Sequence, residues 1–134
     1  PCGIFDDPKL VADLKEAVAT IAKAMQQISE LSASLTPLSI NQMTRWVNAK
    51  DEHAAKIIEL VSGYCLCQRV KPIGDPKSPF KAERDYIAAL EAHHAVLLAA
   101  AGCRQSVEPR HAERLQAAAA EMSQMYLVTV PSSL

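Results

Sequence analysis

Proline sets the punctuation of this chain, and apolar spacing sets what lies between the stops. Asp7-Pro8 pairs a side-chain acceptor with a proline whose missing N–H costs nothing at the first helical position. Leu14, Val18, Ile21, Met25 and Ile28 then recur at spacings of 4, 3, 4 and 3. That stripe fits one face of a long helix and suits no strand. It predicts a first helix from Pro8 to about Ala33.

Pro37 stops the pattern, and Ser39 or Asn41 offers a cap for a second helix over about Ile40 to Arg69. Trp46, Val47, Ala54, Ile57, Ile58, Val61 and Tyr64 form its apolar side. KPIGDPKSPF is a loop. Ser78-Pro79 is expected to open a third helix from about Phe80 to Ala101, with Ile87, Leu90, His94, Leu97 and Leu98 on one side. Gly102 is expected as its left-handed terminator. Ser106 and Pro109 open a fourth helix to about Leu127, carrying Leu115, Ala118, Met122 and Met125. Four such segments with short links predict an all-α, antiparallel up-down-up-down four-helix bundle, a single domain over 1–134 with a loose tail over 128–134.

Composition narrows the function classes. Aromatics are 4% of 134 residues, which disfavours a sheet. A net charge of −1 gives no electrostatic case for nucleic acid or an anionic membrane. No uninterrupted apolar run approaches the roughly 18 residues of a membrane span, and no signal peptide is visible. The expectation is a cytoplasmic protein.

Several groups could carry chemistry. Glu91-Ala92-His93-His94 holds one Glu-x-x-His, where a carboxylate-bridged di-metal bundle needs two such pairs and two more glutamates. Lys50 stands where the second glutamate would precede His53. His94 is therefore expected in the core and His93 on the surface. Arg45 and Trp46 could form a cation–π pair, although a tryptophan there more often belongs to the core. Cys65 and Cys103 read as small buried hydrophobes. No glycine-rich phosphate loop or nucleophile elbow is present.

Cys2 is different. A terminal amine, the following amide nitrogen and the residue-2 thiolate can chelate one metal through two five-membered rings. This N,N,S set suits square-planar Ni(II) or Cu(II). Pro1 and Cys2 supply it here.

PCGIFDDP, followed at once by a long helix, resembles the start of the nickel-containing superoxide dismutases, whose hook reads His-Cys-x-x-Pro-Cys-Gly-(aliphatic)-Tyr-Asp-Pro. The likeness continues through NQMTRWVNAKDEHAAKIIELVSGY, QRVKP and YIAALEAHHAVLLAAA. It implies a four-helix subunit in a homohexamer, with one nickel in each N-terminal hook and superoxide as the substrate. Oxygen and hydrogen peroxide are the implied products.

The chain departs from the family at the hook. Cys2 matches the second hook cysteine through Pro1-Cys2-Gly3, and the preceding His-Cys-x-x is not in this chain. Phe5 stands where the family has a tyrosine. His53 falls where the family often has a basic residue behind the metal. Three readings follow: a hook longer than the chain given, a scaffold with another metal (copper) or none and no activity, or a site rebuilt from Pro1 and Cys2.

Overall fold

In the computed structural model, residues 4–127 are described. Pro1, Cys2, Gly3 and the expected tail over 128–134 lie outside them. The described residues contain α1 (Pro8–Leu31), α2 (Pro37–Glu59), a π-helix (Leu60–Arg69) that prolongs α2, α3 (Glu83–Gln105), α4 (Pro109–Ser123) and a 3-10 turn (Gln124–Tyr126). The fold is an all-α arrangement of four helices.

Two helix starts follow sequence chemistry closely. Asp7 Oδ1 accepts from Leu10 N–H at 3.2 Å, with Pro8 at the first position of α1. α2 begins earlier than the expected Ile40. Thr36 and Ser39 form a reciprocal capping box, each backbone N–H bonded to the other's hydroxyl at 2.8 and 3.0 Å. Pro37 thus starts α2, because a proline that cannot continue one helix is well suited to open the next.

α3 departs further from expectation. It starts at Glu83 instead of Phe80, and Ser78 caps nothing in it: its hydroxyl donates to Lys71 C=O at 2.8 Å and accepts from Phe80 N–H. It also runs past Gly102 to Gln105. Gly102 is an interior residue whose bare Cα makes room for α4: a Cβ there would lie 2.8 Å from His111 Nδ1. The inward face is Ala89, Ala92, His93, Val96, Ala99, Ala100 and Cys103. Ile87 and Leu98, expected inside, are 45% and 56% exposed. His93 is fully buried and His94 is exposed, the reverse of the expectation. A helix apolar nearly all round has no single stripe, so small size decides which side packs closest.

α1 behaves as its stripe requires, with Leu14, Val18, Ile21, Met25 and Ile28 all buried. On α2 and the π-helix, Ala54, Ile57, Val61 and Cys65 face the core. Val47 is exposed and Trp46 half-buried, its ring 5.8 Å from Lys23 Nζ and not paired with Arg45. Phe80 and Tyr126 are buried within this chain.

Helix direction follows from reach. Only residues 106–108 link α3 to α4, and three residues span about 10 Å. A 23-residue helix such as α3 is about 34 Å long, so these neighbours run antiparallel. Along α2 and its extension, Lys50 touches Cys103 whereas Cys65 meets Tyr126, which bonds His93, so α3 descends as α2 rises. Phe5, before α1, pairs with Met125, after α4. The order is up-down-up-down.

α3 is also long and apolar enough to cross a membrane by length and composition alone. It lies against α2 and α4 in the bundle.

Candidate functional site

The segment leading to Pro1–Gly3 is anchored at one end of the bundle. Phe5 N–H donates to Met125 C=O at 2.8 Å, and Asp7 N–H donates to Tyr126 C=O at 2.9 Å. These two bonds fasten residues 5–7 to the turn that follows α4. Asp7 does double work: Oδ1 caps α1, and Oδ2 accepts from Tyr64 Oη at 2.7 Å. That bond, more than desolvation, raises the Tyr64 pKa.

Phe5 is buried, as an apolar ring replacing a phenol can be. Its ring stacks on Tyr126 with centroids 4.9 Å apart and planes at 30°. The Arg69 guanidinium lies 4.8 Å from the same ring and 5.9 Å from that of Tyr64. Arg69 Nε is buried and has no hydrogen-bond partner among the described residues.

The π-helix presents this set. Its i→i+5 pattern ends in a bond from Val70 N–H to Cys65 C=O at 2.9 Å. Tyr64, Cys65 and Arg69 all lie on it. π segments widen the helix and are frequent at functional sites.

Beneath Phe5 is a buried polar group of three side chains. His93 Nδ1 is 2.7 Å from Ala89 C=O, and His93 Nε2 is 2.6 Å from Tyr126 Oη. A carbonyl can only accept, so Nδ1 carries the proton; burial lowers the His93 pKa and keeps the ring neutral. Nε2 is then an acceptor, and Tyr126 Oη donates to it. The Cys65 thiol lies beside Tyr126 and interacts with it. Burial pushes that thiol up to about 11, so it stays protonated and is a poor nucleophile. Burial also raises the Tyr126 pKa.

His53 lies elsewhere on the same flank. Its Nδ1 is 2.8 Å from Ala49 C=O. It lines a cleft of about 320 Å³ between α1 and α2 with Asp13, Glu16, Lys56 and Leu60. Among the described residues no group of three His, Cys, Asp or Glu side chains is placed to hold a metal ion. The amine, amide and thiolate donors expected of Pro1 and Cys2 lie outside the described residues; donors of these types suit nickel.

Of the expected site residues, Phe5 and His53 are placed, and Pro1, Cys2 and Gly3 lie outside the described residues. Sequence reasoning missed Asp7 as an anchor, together with Tyr64, Arg69, Tyr126 and His93. A doubled histidine amid alanines was the visible signal for His93. Tyr126 and Arg69 gave none, because their partners lie tens of residues away in the chain.

A family model described as nickel-containing superoxide dismutase matches residues 1–129. No curated protein and no solved structure gives a match.

Proposed function

The chain belongs to the nickel-containing superoxide dismutase family, and from that premise we propose that it disproportionates superoxide at an N-terminal metal hook. One superoxide gives up an electron and leaves as oxygen. A second takes an electron and two protons and leaves as hydrogen peroxide. Nickel, the family's cofactor, supplies the one-electron redox change. Cys2 supplies a thiolate donor in this reading, joined by the Pro1 amine only where the chain begins there; Gly3 lets the backbone turn close to the metal, and Phe5 and His53 are the residues proposed to stand behind it.

The observation that carries the reading is the seat of Phe5. Two backbone hydrogen bonds and a ring stack hold residues 5–7 at one end of the bundle, which supports a site built from donors a few residues upstream. Preorganisation of this kind is what a metal site on a flexible segment otherwise lacks. The chain acts as one domain in this reading, in a cytoplasmic homohexamer with no nucleic-acid or membrane partner.

Nickel titration tests it, followed through thiolate-to-nickel absorption and a superoxide assay on the same sample. A chain beginning at Pro1 is expected to bind weakly, and one with His-Cys-x-x placed before Pro1 to bind tightly and turn over. Cys2→Ser should abolish binding in both. No binding and no activity in the extended form would overturn the proposal and leave a bundle that has lost the redox site. Tight stoichiometric binding by the shorter form, lost in Cys2→Ser, would favour a site rebuilt from Pro1 and Cys2.

A further inference from the structure

Tyr126 has the surroundings of a tyrosine built to be oxidised. Its ring and hydroxyl are fully buried, and the hydroxyl points at the unprotonated nitrogen of a buried imidazole 2.6 Å away. Losing an electron makes a phenol a very strong acid, so oxidation of a buried tyrosine is feasible only when a base stands ready for the proton. His93 Nε2 is that base, and its orientation is locked by the bond from Nδ1–H to Ala89 C=O. The Cys65 thiol, itself fully buried, lies beside the same side chain. On its other side Tyr126 stacks on Phe5, the first well-seated side chain after the hook.

We infer that Tyr126, with His93 as proton acceptor, is a redox-active site that takes up oxidising equivalents arriving at the hook through the Phe5 ring. The oxidant is a hydroxyl-class one-electron radical, which peroxide yields beside a redox-active metal, or the carbonate radical formed when bicarbonate intercepts it. One electron passes from the Tyr126 phenol to that radical, reducing it to hydroxide or carbonate. The O–H bond of Tyr126 breaks and an N–H bond forms at His93 Nε2. The products are a neutral phenoxyl radical and an imidazolium that keeps its bond to Ala89. The phenoxyl oxygen then accepts a hydrogen bond from the imidazolium, which stabilises it. The hole is thereby held inside the bundle, away from the hook thiolate.

Tyr64 is the natural competitor, since it donates to the Asp7 carboxylate. Tyr64 is only half-buried, and the carboxylate it donates to also caps α1. The imidazole-linked phenol is the better sink.

The test uses the full chain without added metal, so its outcome is independent of nickel binding or dismutase activity. Flash-generated tris(bipyridine)ruthenium(III) serves as the oxidant, and rapid-freeze electron paramagnetic resonance reads the radical. The wild type should give a neutral tyrosyl signal that Tyr126→Phe loses and both Tyr64→Phe and Tyr86→Phe keep. Formation should slow in deuterated water, and Phe5→Leu should slow it further. His93→Gln should cut the radical yield several-fold with the helical circular dichroism unchanged. A signal that survives Tyr126→Phe, one that vanishes in Tyr64→Phe, or a wild-type rate indifferent to deuterium would overturn the assignment.

Discussion

The two ends of the bundle satisfy their polar atoms by different means. At the far end, partners are mostly near in sequence: Thr36 with Ser39, and Ser106 with Glu108. The one long-range device there is Lys50, 2% exposed, whose ammonium donates to the carbonyls of Cys103 and Arg104 at 2.6 and 3.1 Å and pairs with Asp51. It closes the end of α3 as a buried cation at a helix C-terminus. At the hook end, the groups around Phe5 are answered from distant parts of the chain. Tyr64 reaches Asp7, Tyr126 reaches His93, and Met125 reaches Phe5. The far end is closed by local rules that any helical chain can use. The hook end exists only once four segments have met, and it alone among the described residues leaves a buried side-chain donor, Arg69 Nε, unanswered.

The sharpest way to break this contrast is Tyr126→Ala. It opens a cavity under Phe5 and leaves His93 without its donor, and should cost about 3–5 kcal/mol in urea unfolding. It should also accelerate amide exchange at Phe5 and Asp7, which a purely global loss would not do selectively. Lys50→Met is next. It strands the carbonyls that end α3 and should cost about 2–3 kcal/mol, while Phe5 exchange under native conditions stays as in the wild type. Equal loosening of the hook by both variants would erase the distinction between the ends.

Acid provides a third probe. Burial holds the His93 pKa below its ordinary 6.5, so the unfolded chain binds the proton more readily. This stabilising contribution is complete above pH 6.5 and is lost progressively as the pH falls below it. Denaturant midpoints measured from pH 8 to pH 5 should decline, and His93→Gln should flatten that decline. Tyr64→Phe is milder, about 1 kcal/mol, with its effect concentrated in exchange at Asp7 and the first turn of α1. Smallest is Gly102→Ala at the far end. The gain of about 1 kcal/mol in helix propensity opposes the crowding of His111, and the net change should lie within about 1 kcal/mol of zero by thermal unfolding.

What could be seen in the sequence follows the same division. The helices of α1 and α4, the Asp7-Pro8 start and the burial of Cys65 and Cys103 were all legible, because caps and apolar spacing act within a few residues. α3 was legible as a helix but not in its orientation. Its alanines, leucines and isoleucine lie all round, and the choice between His93 and His94 is made by Tyr126 from 33 residues away. The hook motif announced its family, whereas the seat that holds it did not, since Arg69, Tyr64 and Tyr126 become neighbours only in the folded chain. The change from α to π geometry at Leu60 likewise left no mark in propensity.

The bonds that join Phe5 to Met125 and Asp7 to Tyr126 also impose an order in time. A ribosome makes residue 5 roughly 120 residues before residue 125, at about 5–20 residues per second. For those seconds the N-terminal segment has no seat, since the turn that will hold it does not yet exist. Completion of the turn after α4 ends that interval, so the chain carries its own clock for when residues 5–7 are docked.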